Sequence, residues 1–198
     1  MKPIRSKVAI LAMALSAISF GAGYAESPPV RNCTWCHGTS AQGLTPAPRL
    51  AGQRRPYIEN QLRDFGHHTR DNPYSRQYMW SVGENLSPQT VRNLATYFST
   101  LAPRAANDGN KEFAALGRTI YQVGMPDANI AACVVCHGPN AEGVGEIPRL
   151  GGLAFTYLQR RLEQWGEGFH AKPPMASVAS KLSPNQIEAL ASYLSFIE

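Results

Sequence analysis

The chain reads Cys33-Thr34-Trp35-Cys36-His37 near its start and Cys133-Val134-Val135-Cys136-His137 100 residues later. These two segments contain all four cysteines of the 198-residue sequence. At a shift of 100 residues, 33–66 aligns with 133–166 without a gap, and 13 of the 34 positions are identical. At a shift of 96 residues, 79–98 aligns with 175–194, with nine of 20 identities. The chain therefore contains two copies of one small domain.

Both copies have the apolar spacing of helices, and no strand pattern competes with it. Ser87-Pro88 and Ser183-Pro184 each combine a helix N-cap with a proline at the first helical position. A helix in the middle of each half ends at Gly66 or Gly166, and a further helix precedes the second motif. The apolar positions that predict these helices are Val91, Leu94, Ala95, Phe98, Ile187, Leu190, Ala191, Leu194, Ile58, Leu62, Phe65, Leu158, Leu162, Trp165, Phe113, Leu116 and Ile120. We therefore predict an all-α fold.

The N-terminus has the features of a secretory signal. Three cations within the first seven residues precede an apolar run at 8–20, and small residues lead to Ala25. We predict cleavage after Ala25 and export to the periplasm; an uncleaved anchor helix is the alternative, although a run of 13 residues is short for a span. The predicted organisation is a signal at 1–25, domain one at 26–102, a linker at 103–108 and domain two at 109–198.

The charge balance argues against nucleic acid as a partner. Loss of Lys2, Arg5 and Lys7 with the signal lowers the formal net charge from +5 to +2, and no basic helix or patch stands out. The remaining charge is uneven: 26–102 has eight arginines and five acids, and 109–198 has seven cations and eight acids. Either the first half faces an acidic partner or the difference is ordinary scatter of surface charge.

The Cys-x-x-Cys-His spacing is that of covalent haem attachment. Two thiols three residues apart lie on one side of a helical turn, where both can form thioethers with the vinyl groups of one haem. A zinc ribbon would place its Cys-x-x-Cys pairs closer together, a thioredoxin-like pair would need a βαβ unit, and structural disulfides would need other cysteines. We predict two haem c groups, attached through Cys33, Cys36, Cys133 and Cys136, with His37 and His137 as iron ligands.

Met79 and Met175 are the candidates for the second axial ligand. They occupy equivalent positions, each seven residues before a Leu-Ser-Pro sequence, and Met/His iron is typical of electron transfer. Core packing is the alternative role for both methionines. The rival ligands, His67, His68 and His170, have no histidine counterpart in the other half, so we interpret all three as surface residues.

Two further repeated residues follow each motif. Pro48 and Pro148 lie 11 residues after the motif histidines, and a backbone carbonyl there could accept a hydrogen bond from the ring Nδ1. Arg49 and Arg149 could pair with haem propionates. The alternative is a turn followed by a surface cation.

On these motifs the chain resembles the dihaem class I cytochromes c of the cytochrome c4 family. The resemblance covers the mature chain, and it rests on both Cys-x-x-Cys-His-Gly segments, Pro48-Arg49-Leu50, Pro148-Arg149-Leu150, Leu86-Ser87-Pro88 and the two methionines. It implies two tandem helical domains related by a pseudo-twofold axis, with facing haems, propionates near the interface and His/Met iron. It also implies a periplasmic location, at times loosely at the inner-membrane face. The missing N-terminal helix of domain one departs from this pattern.

We therefore expect an electron carrier without substrate chemistry of its own, which serves a dehydrogenase, a quinol-oxidising complex or a terminal oxidase. One alternative is the electron-accepting subunit of a periplasmic dehydrogenase complex that oxidises sulfur compounds. The other is a dihaem peroxidase, which would need an iron with an open or displaceable position and an acid-base pocket.

Overall fold

The computed structural model describes residues 28–170 and 172–198, so the predicted signal at 1–25 lies outside the described residues. Over these ranges the chain folds into helices and forms no β-strand beyond isolated bridges. The α-helices are α1 (Pro28–His37), α2 (Arg55–Gly66), α3 (Trp80–Glu84), α4 (Pro88–Thr100), α5 (Lys111–Val123), α6 (Val134–His137), α7 (Phe155–Gly166), α8 (Met175–Ala179) and α9 (Pro184–Ser195). A π-helical turn (Ser75–Met79) precedes α3, and a short 3₁₀ turn (Pro126–Ala128) precedes α6.

Each half of the chain has its own apolar core. In the first half α2 packs against α3 and α4, and in the second half α7 packs against α8 and α9. The buried apolar residues of the first core are Val30, Ala41, Ala51, Ile58, Leu94, Ala95 and Phe98. The second core is larger and includes Ile120, Tyr121, Ile130, Leu153, Leu158, Leu162, Leu182, Ile187, Leu190 and Leu194. The repeat in the sequence is therefore a repeat in packing.

The predicted helix starts are confirmed. The Ser87 hydroxyl accepts a hydrogen bond from the backbone N–H of Thr90 at the start of α4 (3.1 Å). Ser183 and Gln186 form a reciprocal capping box at the start of α9. Both caps satisfy backbone donors that have no partner inside the helix.

The predicted face of α5 is wrong at one position. Leu116 is 46% exposed, and the buried residues of this helix are Gly117, Ile120 and Tyr121. The reason is the closeness of α5 to α9: a Cβ on Gly117 would lie 1.9 Å from the carbonyl oxygen of Ala189. The contact requires a residue without a side chain, which an apolar-spacing argument does not detect.

Candidate haem sites and the interface between them

The two motif histidines are buried and held in the same way. The Nδ1 atom of His37 lies 2.6 Å from the Pro48 carbonyl oxygen, and that of His137 lies 3.1 Å from the Pro148 carbonyl oxygen. Since a carbonyl only accepts, each Nδ1 carries the proton and donates it, which leaves Nε2 as the lone-pair nitrogen. Burial lowers the pKa of both rings. A neutral imidazole with a fixed tautomer is the form that binds a metal.

The loop after each motif brings the proline carbonyl to the histidine. The carbonyl of His37 accepts from the N–H of Gly43 and that of His137 from Gly143, each at 2.8 Å. At the centre of each loop a fully buried alanine, Ala41 (φ 55°) or Ala141 (φ 52°), adopts the left-handed conformation. The carbonyl of each alanine accepts two further backbone N–H groups from the segment after the proline-arginine pair. The two loops thus share one backbone design.

Cys33 and Cys36 lie in α1, Cys133 is the N-cap of α6, and Cys136 lies within that helix. None of them forms a disulfide, Cys33 and Cys133 are half-buried, and Cys36 and Cys136 are exposed. Within the first motif Trp35 is 85% exposed, so its ring covers no part of the polypeptide core. All four thiols are available for thioether formation.

The two methionines lie at equivalent places after the middle helices. Met79 ends the π-helical turn and Met175 begins α8, and both are half-buried. The side chain of Asn72 stabilises the turn before Met79. Its Nδ2 donates to the Ser75 hydroxyl at 2.6 Å, and its Oδ1 accepts from the Ser75 backbone N–H at 3.2 Å. Trp80, next to Met79, donates from Nε1 to the Arg70 carbonyl at 2.9 Å. A π-helical turn is a feature often found at functional sites.

His67 and His68 are exposed, as predicted, but the prediction for His170 is wrong. His170 is 8% exposed, because its loop folds against the first half of the chain. Its backbone N–H donates to Asp71 Oδ1 (2.8 Å), and its Nδ1 lies 3.4 Å from the Arg161 guanidinium. His170 therefore belongs to the interface between the halves.

Arg49 connects the two halves. Its guanidinium is buried and donates to three backbone carbonyls: Nη1 to Arg104 (2.5 Å) and Gly152 (2.7 Å), and Nη2 to Gly151 (2.6 Å). The carboxamide of Gln53 binds both backbone groups of Arg149, donating to the carbonyl at 2.9 Å and accepting from the N–H at 2.7 Å. These contacts hold the loop that follows the first Cys-x-x-Cys-His motif against the loop that follows the second.

The interface between the halves buries several arginine side chains and one histidine. Arg70 and Arg161 are each less than a tenth exposed, and each guanidinium lies over an aromatic ring of its own half. Burial, reinforced by the charge of Arg70, lowers the pKa of Arg161 to about 10. Four buried nitrogens have no hydrogen-bond partner among the described residues: Arg49 Nε, Arg70 Nε, Arg149 Nε and His170 Nε2. Buried donors of this kind are normally paired, so the interface fits a group that carries carboxylates, as haem does.

The repeated residues of this region were predictable from the sequence, but the interface residues Gln53, Arg70 and Arg161 were not. In the alignment of the halves Gln53 falls opposite Leu153, Arg161 opposite Gln61 and Arg70 opposite His170. A search for repeated residues cannot detect contacts that differ between the two copies. The only signal was the pair Tyr57 and Tyr157, which recurs beside these cations.

Comparison with known proteins identifies the family. A family model described as "Cytochrome c" matches residues 114–197. A "Cytochrome c4" of Thiocapsa roseopersicina is 34% identical over 170 residues, which cover 82% of this chain and 85% of the relative. This chain belongs to the cytochrome c4 family. A "Thiosulfate dehydrogenase electron acceptor" of Thiomonas intermedia is 33% identical over 201 residues, with 97% of this chain and 91% of the relative covered.

The solved structure of cytochrome c4 from Acidithiobacillus ferrooxidans matches this chain with a TM-score of 0.79 and 34% identity, over 83% of this chain and 98% of that chain. The predicted all-α fold of two tandem cytochrome c domains is therefore confirmed. As a cytochrome c4, the chain carries two covalently bound haem c groups and transfers single electrons between redox proteins. None of the described helices is long and apolar enough to cross a membrane.

Proposed function

We propose that this cytochrome c4 is a periplasmic electron carrier in which His37 and Met79 ligate one iron and His137 and Met175 ligate the other. The observation that carries the proposal is the matched pair of histidine-to-proline-carbonyl contacts, 2.6 and 3.1 Å long. Each haem, when bound, supplies a one-electron Fe(III)/Fe(II) couple, and a methionine ligand raises its potential. The four cysteines hold the two groups to the chain as thioethers.

The remaining residues orient the histidine rings and neutralise the haem propionates. The carbonyls of Pro48 and Pro148 fix the orientation of the imidazoles and increase their basicity. The orphaned Nε groups of Arg49 and Arg149 are oriented donors for carboxylates, and this supports the predicted pairing of both arginines with propionates. The guanidinium of Arg70 adds a third buried cation at the same interface. Every role in this list is binding or positioning, so the proposed carrier has no substrate reaction of its own.

The ligand roles are tested by replacing Met79 or Met175 with leucine in the exported holoprotein. Each replacement should lower the reduction potential of one haem and leave the other within its original range. Val178→Leu, in α8 beside Met175, is the control for a change of packing alone. Unchanged potentials in both methionine variants would refute the assignment.

The second candidate is a dedicated electron acceptor of a thiosulfate-oxidising enzyme. It is favoured by the relative from Thiomonas intermedia, which is described as a thiosulfate dehydrogenase electron acceptor. In this role the chain would remain oxidised with thiosulfate alone and would be reduced within seconds when a thiosulfate dehydrogenase is added. Co-elution of the two proteins from a sizing column would indicate a stable complex. Independent elution with the same rate of reduction would indicate a free carrier.

A further inference from the structure

Trp80, which follows the proposed ligand Met79, is held by three neighbours. Its indole Nε1 donates to the Arg70 carbonyl oxygen at 2.9 Å. The ring of His68 is stacked on the indole, with 3.9 Å between the ring centroids and an interplanar angle of 11°. The guanidinium carbon of Arg76 lies 5.8 Å from the indole centroid, within the range of a cation–π contact. The segment that carries Met79 is therefore fixed through a side chain as well as through its backbone.

The two side chains that contact the indole are themselves paired with carboxylates. His68 Nε2 donates to Glu84 Oε1 at 2.5 Å, and the guanidinium of Arg76 lies 3.8 Å from an oxygen of Asp71. Because α3 begins at Trp80 and ends at Glu84, His68 contacts both ends of this helix. These contacts therefore join α3 to the segment that follows α2.

The helix after the methionine also lies closer to the middle helix in the first half than in the second. A Cβ on Gly66 would lie 3.0 Å from the carbonyl oxygen of Gly83. At the shift of 96 residues Gly83 corresponds to Ala179, and a Cβ on Gly166 would lie 3.4 Å from the carbonyl oxygen of Ala179. The contact of α2 with α3 is therefore tighter than the matching contact of α7 with α8.

The residues around Met175 cannot make the same contacts. At the shift of 96 residues Trp80 corresponds to Ala176, whose methyl side chain has neither a ring nor a hydrogen-bond donor. Seven residues before Met175 the chain has Gly168, whereas seven residues before Met79 it has Asn72, the residue that stabilises the preceding turn. The side-chain contacts that hold the first methionine segment are thus specific to the first half.

A methionine leaves a haem iron only when its segment moves, and every contact that this local opening breaks raises its free energy. We propose that Trp80 is a positioning residue for Met79, and that Met175 is consequently the methionine that an added ligand displaces first. The ligand class is a small neutral nitrogen base, for which imidazole is the probe. The role of Trp80 rests on the proposed function, in which both methionines are axial ligands.

The test titrates the ferric mature holoprotein with imidazole and follows the sulfur-to-iron charge-transfer band. The parent should lose the band in two steps that differ by about tenfold or more in imidazole concentration. Met175→Leu should retain only the step at high concentration, and Met79→Leu only the step at low concentration. Loss of both methionines at one concentration, or of Met79 first, would overturn the role of Trp80 alone. A parent without the band would instead refute the ligand assignment in the proposed function.

Variants of Trp80 test its role directly. Trp80→Leu should lower the imidazole concentration that displaces Met79 by about tenfold, and Trp80→Phe, which keeps a ring without the Nε1–H donor, by a smaller factor. Tyr78→Leu is the matched control: Tyr78 also adjoins Met79, but its ring is 51% exposed and stacks on the exposed Tyr74. The step of Met175 should be unchanged in all three variants, and their visible haem absorption reports folding. Equal displacement of Met79 in Trp80→Leu and Tyr78→Leu would contradict the proposal.

Discussion

Ala41 and Ala141 each determine the shape of the loop that follows a Cys-x-x-Cys-His motif. Both are fully buried and have positive φ angles, a combination that costs free energy for any residue other than glycine. The cost is offset because each alanine carbonyl accepts two backbone N–H groups and places the proline carbonyl against the histidine. The small side chain at this position is therefore a requirement of the loop.

Ala41→Val should destabilise the first half by about 2 kcal/mol or more, since a branched side chain is strained at positive φ and overpacks a buried site. Urea unfolding of the holoprotein, followed by the visible absorption of the haem, measures this loss. Ala102→Val, at an exposed alanine, is the control and should change stability by less than about 0.5 kcal/mol. Equal stability of the two variants would show that the loop tolerates bulk at its centre.

At the scale of elements, the crossing of α5 and α9 leaves no room for a side chain at Gly117. A Cβ at Gly117 would lie 1.9 Å from the Ala189 carbonyl oxygen and 2.7 Å from Tyr193 Cβ. A glycine-to-alanine change inside a helix ordinarily gains up to about 1 kcal/mol from helix propensity. Here the helices must separate, and the contact between them is lost.

We expect Gly117→Ala to destabilise the protein by about 2 kcal/mol or more despite the propensity gain. Gly166→Ala is the matched control, because its Cβ would meet the nearest described atom at an ordinary 3.4 Å. The midpoints of thermal unfolding of the two variants should therefore differ clearly, with only Gly117→Ala lowered. A midpoint for Gly117→Ala at or above that of the parent would contradict the described crossing.

Elements were predictable from sequence where the determinants are local. Ser87 and Ser183 mark helix starts, and the apolar faces of α4 and α9 are buried at the predicted positions. The role of Gly117 could not be predicted, because it depends on a carbonyl 72 residues away in sequence, at Ala189. The burial of His170 likewise depends on Asp71, in the other half. The exact boundaries of the two domains remain a prediction from sequence.

For the whole molecule, Arg49 is one of the side chains that hold the two halves together. Its guanidinium meets three backbone carbonyls, two of them in the second half. Hydrogen bonds to a charged donor contribute about 1.5–3 kcal/mol each, and buried acceptors left without a donor are costly. The position of the first Cys-x-x-Cys-His loop relative to the second half therefore depends on this side chain.

Arg49→Ala should lower the free energy of unfolding by about 3 kcal/mol and should make the two halves unfold separately. Two transitions in urea, where the parent shows one, are the expected readout. Arg104→Ala is the control, because that variant retains the backbone carbonyl that Arg49 binds. A single transition with the parent midpoint would mean that the interface does not depend on Arg49.

The ion pair between Lys172 and Asp64 also joins the halves, at 2.8 Å. Burial raises the pKa of Asp64, but the hydrogen bond from Lys172, with Thr69 and His170, outweighs it and lowers the pKa below its ordinary 3.8. The folded state thus keeps this carboxylate ionised at a lower pH than the unfolded state does. The resulting stabilisation is fully present above pH 3.8 and is lost as the pH falls below that value.

Lys172→Met should therefore weaken the loss of stability between pH 4 and pH 2, with an effect of less than about 1 kcal/mol because the lysine is exposed. Urea midpoints across this pH range provide the measurement. Lys181→Met, at a lysine that bonds a carbonyl rather than a carboxylate, should preserve the parent profile. Identical pH profiles for all three proteins would show that the pair does not contribute.

We propose that two irons, each held by one histidine and one methionine, exchange electrons without opening a coordination position. The most direct measurement is near-infrared magnetic circular dichroism of the ferric holoprotein, which detects the sulfur-to-iron charge-transfer band. We expect intensity for two methionine-ligated haems per chain, halved in Met79→Leu, halved in Met175→Leu and absent in the double variant. A parent spectrum without this band, or full intensity in the double variant, would contradict it.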